Sequence, residues 1–304
     1  MTEKTTDPLS RPSIGVSILS WRSWSTLEKT LTSYRDAGLF DVVDKVILYF
    51  QDLCDRDIEI AEKFGVQYTG GLNCGIADGM RNGANHLGTD YVLFLENDCP
   101  IVASRDEIEH QLSLAVDYLE SGRIDIMRLR ARLFHKDGNS DIINYLRYYQ
   151  PVSVEPDIDI SGLIVPAWQR WLRRVVKSHN LHLMKGRGLY VEKYPEQLFP
   201  DAIEKTEDGI WIGDSSCLDW TNQSVLCKRV FFTDILMPYV DAHPSSRTSN
   251  GFQEPERPLN CRWWRRQNFK IGQGPGLFIH ERFDGSWRPT HPAYEAAHAS
   301  RCKI

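Results

Sequence analysis

TDYVLFLENDCPI, residues 89 to 101, carries an apolar run straight into an acidic triplet, Glu96-Asn97-Asp98, and a proline-ended turn. Tyr91 to Leu95 is too short for a comfortable helix and rich in β-formers, which predicts a buried strand. Strands of this type in open α/β sheets carry their chemistry at the carboxyl end. Two carboxylates one residue apart, where such a strand stops, can turn into the same space and share a hard divalent cation with the phosphates of a ligand. The plainer alternative is a strand followed by a solvated acidic turn.

Upstream of this stretch, strand and helix alternate. Ile14 to Leu19 reads as a strand running into Ser20-Trp21-Arg22-Ser23. A helix follows from near Ser25, with Leu27, Leu31 and Tyr34 at helical spacing, and stops at Gly38. Val42 to Phe50 is a second strand, Arg56 to Phe64 a second helix, Val66 to Thr69 a third strand, and residues 75 to 87 a Gly-rich helix leading to the central strand. Four alternations in this order predict a mainly parallel sheet with a nucleotide-sized crevice at its strand ends.

Downstream the pattern loosens. Glu107 to Leu119 is an amphipathic helix, but the chain beyond Phe134 mixes aromatics, prolines and charges without a clear period. Within it, WQRWLRRVVK, residues 168 to 177, is a basic amphipathic helix, read as solvated and packed through its tryptophans. Peripheral contact with an anionic membrane surface is the alternative. Order returns with Leu218 to Asn222, a run to Cys227 and an amphipathic segment from Val230 to Tyr239. A Pro-, Ser- and Arg-rich loop at 241 to 252 leads to Gln253-Glu254-Pro255-Glu256, and Leu277 to Ile279 is a last strand ending at His280. The tail holds Trp287 and His291.

At 304 residues, 41% hydrophobic and 25% charged, the composition is that of an ordinary globular protein with a substantial core. A net charge of −5 supplies no global basic field, which argues against nucleic acid as the main partner. Residues 1 to 12 read as a disordered lead-in without the apolar core of a signal peptide, so the expected location is cytoplasmic. The 7 cysteines form no C-x-x-C pair and are read as reduced thiols.

Four features occur in the order seen in family 2 glycosyltransferases of the GT-A fold, which the chain resembles. Gly15-Val16-Ser17-Ile18-Leu19-Ser20 looks like the opening strand that sets a polar turn against the nucleotide. Asn73-Cys74-Gly75-Ile76-Ala77 followed by Gly83 is similar to the N-x-G-x-x…G segment before the central strand. Glu96-Asn97-Asp98 is similar to the D-x-D signature, with Glu at its first position. Glu254-Pro255-Glu256 followed by Leu259, Arg262 and Ile271 resembles the segment that supplies the catalytic base. The likeness covers residues 12 to 102 well and 215 to 283 loosely, and residues 104 to 210 match nothing in the family.

The resemblance implies an α/β GT-A domain over residues 13 to 304. Its nucleotide-sugar-binding half is 13 to 103, its unmatched middle 104 to 210, and its acceptor and catalytic half 211 to 304. It implies a metal-dependent inverting transfer from a nucleotide-sugar donor to a glycan or lipid-linked acceptor. Asp98 and Glu96 would hold Mn²⁺ or Mg²⁺, which as a Lewis acid neutralises a pyrophosphate leaving group. His280 stands where the family often places a late metal-ligating histidine. Glu254, with Glu256 in reserve, would be the general base that takes the acceptor proton. Ser20, Asn73, Arg81 and Asn97 would line the nucleotide sugar. The family's uracil-reading Asp is missing, since Tyr49-Phe50-Gln51-Asp52 stands at its position and leaves Gln51 or Asp52 for that role. Trp220, Trp263 and Trp264 fall in the acceptor half, as sugar-stacking rings or as core. The competing class is a non-catalytic nucleotide- or carbohydrate-binding protein on the same scaffold.

Overall fold

The structure is a computed structural model that describes residues 11–133, 140–153, 161–248 and 251–281. Nine strands build one sheet: β1 Ile14–Ser20, β2 Lys45–Gln51, β3 Gln67–Gly71, β4 Tyr91–Glu96, β5 Ile126–Arg130, β6 Glu204–Lys205, β7 Trp211–Asp214, β8 Val225–Lys228 and β9 Lys270–Phe278. Their order across the sheet is β3-β2-β1-β4-β8-β5-β9-β7-β6. The principal helices of the first two-thirds are α1 Trp24–Asp36, α2 Leu39–Val42, α3 Asp55–Phe64, α4 Gly75–Leu87, α5 Arg105–Glu120, α6 Ser140–Leu146 and α7 Ala167–Val176. The fold is mixed α/β, a large central sheet flanked by helices.

β4 shows why the apolar run reads as it does. Tyr91, Leu93 and Leu95 enter one core with Leu27, Leu31 and Tyr34 of α1 and Ile108 and Leu112 of α5. Val92 and Phe94, pointing the other way, enter a second core with Ala77, Met80 and Ala84 of α4. A strand covered on both faces shows a continuous apolar run rather than alternation. The glycines of α4 have a geometric reason. A Cβ on Gly83 would lie 2.1 Å from Ser17 Oγ, and one on Gly79 would lie 2.6 Å from Gln51 Nε2, so only glycine lets the helix lie this close on β1 and β2.

Three expectations are corrected. The second strand starts at Lys45 rather than Val42, because Gly38 turns left-handed at φ 76° and Leu39–Val42 closes a helical turn first. The sheet is parallel through β3, β2, β1 and β4 and again between β5 and β9; β8 and β7 run antiparallel to their neighbours, so the second half is mixed. α7 does form over the basic amphipathic stretch, but it is not packed through its tryptophans, since no residue of it is buried. Val230 to Tyr239 belongs to a longer helix, Arg229–Phe231 and Met237–Ala242 around a π-helical turn at Phe232–Leu236. Residues 1 to 10 of the 1 to 12 lead-in, Trp287, His291 and Cys302 lie outside the described residues; the six described cysteines are free thiols. Among the described residues no helix is long and apolar enough to cross a membrane.

Candidate active site

The site is built where β4 ends. Asn97 N donates to Leu19 O at 3.0 Å and Cys99 N to Glu96 O at 3.3 Å, so the chain turns at the triplet instead of extending the strand. Tyr34 on α1 fixes that turn by donating its hydroxyl to Cys99 O at 2.6 Å. Residues 98 to 102 then run against the end of β9. Val102 N donates to Leu277 O at 2.9 Å, Ile279 N to Pro100 O at 3.0 Å and Glu281 N to Asp98 O at 2.9 Å. This antiparallel register sets His280 beside Asp98, with Nε2 at 3.0 Å from Asp98 Oδ2.

Glu96, Asp98 and His280 each present a ligand atom within 4.8 Å of the others. Asp98 is only 4% exposed. Burial first, then the charge of Asp98, push the Glu96 carboxyl up to about 7, and Glu256 adds to the push. Gln223 Nε2, donating to Glu96 Oε2 at 2.8 Å, and the charge of His280 act the other way. Carboxylates this close repel in a desolvated site, and a cation relieves the excess negative charge. Two carboxylate oxygens and an imidazole nitrogen are also a donor set that suits Mn²⁺, and Mg²⁺ where waters complete the shell. The residues therefore fit a divalent ion.

The 252–256 segment arrives at the same place from the other half of the chain. Gln253 O accepts from Ala77 N at 3.2 Å, at the start of α4. The Gln253 side chain clasps Ser245, accepting from its N and donating to its O, both at 2.9 Å. Glu256 Oε1 accepts from Asn222 N at 3.0 Å. Burial raises the Glu256 carboxyl pKa, with the charge of Glu254 adding to it. Glu254 instead makes an ion pair with Arg257. Asn260 holds the two pieces together, accepting from Trp220 N at 2.6 Å and donating to Trp220 O at 2.9 Å. Asn222 and Gln223 had no signal in the sequence. Both are ordinary polar residues in a short loop, and only this clamp brings them to the carboxylates.

The expected nucleotide-side residues form a second, tightly bonded group. Gln51 Oε1 accepts from Cys74 N at 2.8 Å and Gln51 Nε2 donates to Gly75 O at 2.7 Å, splicing the end of β2 to the start of α4. Asp52, at φ 57°, accepts from Trp21 Nε1 at 2.9 Å and Asn73 N at 3.0 Å and pairs with Arg22 at 3.2 Å. Asn73 Oδ1 accepts from Gly75 N at 2.9 Å. Ser20 ends β1 with its hydroxyl oxygen buried and without a hydrogen-bond partner among the described residues. Arg81 stands apart, paired with Asp78 at 3.3 Å and with Asp241.

No family model matches the chain, and no curated protein does. Among solved structures, S. aureus TarS 1-349 is similar at 10% identity and a TM-score of 0.47, covering 88% of this chain and 60% of that one. The same protein in complex with UDP-GlcNAc has a TM-score of 0.44 at 10% identity, covering 91% and 62%. Glucosyl-3-phosphoglycerate synthase from Mycobacterium tuberculosis, in complex with Mn²⁺ and UDP-Glc, is similar over 38% of this chain and 43% of its own, at 17% identity and a TM-score of 0.30. The chain thus matches about 60% of the length of the TarS fragment.

Two other features do not compete with this site. His182, Asp214 and Cys217 also approach within ligand distance of one another. There, however, Lys270 Nζ lies 3.6 Å from Asp214, and burial pushes the Cys217 thiol up to about 11, which disfavours the thiolate a metal needs. Of the three tryptophans expected as sugar platforms or core, Trp220 and Trp264 are core. Trp264 is fully buried and donates to Leu218 O at 2.8 Å, Trp220 donates to Asn222 Oδ1 at 3.0 Å, and the two rings meet edge-on at 6.0 Å. Trp263 stacks on Tyr239 at 3.8 Å.

Proposed function

We propose that this protein is a metal-dependent inverting glycosyltransferase of GT-A type, moving a sugar from a nucleotide-sugar donor to a glycan or lipid-linked acceptor. The observation that carries the reading is the convergence of Glu96, Asp98 and His280, from two distant parts of the chain, on one volume at the strand ends. Asp98, His280 and Glu96 would hold Mn²⁺ or Mg²⁺. Such an ion, when bound, supplies the positive charge that a departing diphosphate requires.

The chain's own residues divide the remaining work. Gln223 orients Glu96 by occupying one of its oxygens. The Gln51, Asp52 and Asn73 group spends its side-chain hydrogen bonds on shaping the loop between β2, β3 and α4, so its part in donor binding is to fix the floor of the pocket. The buried Ser20 hydroxyl offers a donor or acceptor that no described residue uses. Asn97 contributes its backbone to the turn. Arg81 would reach a phosphate only by giving up its partners Asp78 and Asp241.

A carboxylate of the Glu254–Glu256 pair takes the proton from the acceptor hydroxyl. Glu256 is the better placed, since burial raises its proton affinity and its charge is felt at Glu96. A base whose pKa moves toward the working pH is the more effective one. Glu254 is held by Arg257 and would have to leave that ion pair to reach an acceptor.

The test is thermal unfolding and product release with a panel of nucleotide sugars. Nucleoside diphosphate should raise Tm in the presence of Mn²⁺ or Mg²⁺ and not in excess chelator, because a ligand that binds only the native state stabilises it by mass action. Equal stabilisation in chelator would remove the metal from the reading. Donor binding with no release of nucleoside diphosphate across the acceptor panel would favour the binding-protein class.

A further inference from the structure

The helix α7 is turned the wrong way round for a globular surface. At about 100° per residue, Trp168, Trp171, Leu172, Val175 and Val176 share an arc of roughly 140°, and Gln169, Arg170, Arg173, Arg174 and Lys177 fill the rest. Such a helix normally lays its apolar arc on the core. Here the basic arc faces the body of the protein. Arg170 donates to Val165 O and, at 3.0 Å, to Gln150 Oε1, and the Arg174 guanidinium lies over the Tyr149 ring at 5.4 Å. The apolar arc faces outward, with Trp168 64%, Trp171 65% and Val176 66% exposed, and Leu163 and Ile164 extend it as exposed neighbours. Among the described residues, nothing covers it.

We propose that this face docks on an anionic phospholipid surface. Charge complementarity selects the partner. Residues 161 to 182 contain no acidic residue and include Arg170, Arg173, Arg174 and Lys177, in a chain whose net charge is −5. A local basic field of this kind attracts anionic headgroups, while two tryptophans beside Leu172 and Val175 are the amphipathic rings that settle at the boundary of headgroup and acyl chain. Arg173 lies about 60° beyond the edge of the apolar arc and Lys177 follows, exposed, at the end of the helix, where long stems reach headgroups while the apolar side chains enter the acyl region. A second copy of the chain fits less well, because facing α7 helices would bring like charges together. Docking stands on these observations alone and does not depend on the proposed glycosyl transfer.

The experiment is co-sedimentation of the full chain with phosphatidylcholine vesicles, with and without added phosphatidylglycerol. The wild-type chain should pellet with anionic vesicles and stay in solution with phosphatidylcholine alone, and salt should release it. The double variant Trp168→Ser, Trp171→Ser should lose about tenfold or more in vesicle affinity. Arg173→Glu with Lys177→Glu should lose a comparable factor. Trp168, Trp171 and Lys177 are exposed and Arg173 is half-buried, so unfolding temperature should be unchanged, which separates lost docking from lost fold. Failure of the wild type to pellet with anionic vesicles overturns the proposal. So does equal binding to both vesicle types, and so does a solution dimer that the tryptophan variant dissociates, which would assign the face to a second copy.

Discussion

Two carboxylate environments in this protein, one fully buried at Glu192 and one half-buried at Glu96, are opposite in kind. Glu192, fully buried, is surrounded by donors: Tyr145 OH at 2.7 Å, Val152 N at 3.1 Å, and Ser153 N and Oγ at 2.8 and 3.0 Å. It is the point at which the middle of the chain is tied together. Glu96 has the Gln223 amide as its side-chain donor and two further acids, Asp98 and Glu256, close enough to raise its pKa. A buried acid whose lone pairs are all used by donors is structural. One placed among other acids is the proposed cation site. The exposed and buried arcs of α4 and α7 make the same distinction for apolar surface: one is consumed by the fold and the other is left over.

The largest expected effect tests the acid pair beside the proposed cation site. Glu256→Gln should lower turnover by about 10² to 10⁴ with donor affinity kept, the usual contribution of a positioned base, whereas Glu254→Gln should cost much less. Steady-state kinetics on both variants decide it, and the reverse ranking moves the base to Glu254. Next comes the structural acid. Glu192→Ala strands several buried donors at once and should cost about 3 kcal/mol of stability, read as a lower denaturant midpoint with no change in metal dependence. If Glu192→Ala leaves stability intact, the contrast between the two environments fails.

Asp98→Asn should do the opposite. It should leave the metal-free stability near wild type, because a repelling charge is removed, and should abolish the metal-dependent stabilisation by nucleoside diphosphate, about 2.7 kcal/mol at a hundredfold excess over Kd. Thermal unfolding with and without Mn²⁺ measures both. The last effect is in pH. The Glu96 carboxyl titrates at about 7 in the folded chain against an ordinary 4.5, so the folded state holds a proton that the unfolded chain has released. Its contribution is fully present below about 4.5 and is lost as pH rises through 7. Metal-free denaturation midpoints from pH 4.5 to 7.5 should carry this downward component in wild type and lack it in Glu96→Gln.

How much of this was legible depends on how local the information is. β4, the helix over 75 to 87 and the acidic turn could be read because each is set by neighbours a few residues apart: an apolar run too short for a helix, glycines at close-contact positions, a proline ending the turn. The start of β2 was misjudged because Val42 has a strand-former's side chain but sits in a helical turn that Gly38 opens. The tryptophans of α7 were expected to pack inward, since amphipathic periodicity states that a helix has two faces without stating which one meets the protein.

The sequence by itself determined the alternating elements of the first hundred residues, the double-sided burial of the central strand, and the delivery of Glu96 and Asp98 to its end. All of these follow from periodicity and turn chemistry within about a dozen residues. Only the tertiary structure decided that β9 runs antiparallel to the turn after β4 and brings His280 to Asp98. It alone put Gln223 on Glu96 across 127 residues of chain, and seated Glu256 on the Asn222 amide. The physical reason is that these contacts are made by strand register and loop clamping between segments far apart in sequence, and no local pattern records which distant partner a side chain will meet.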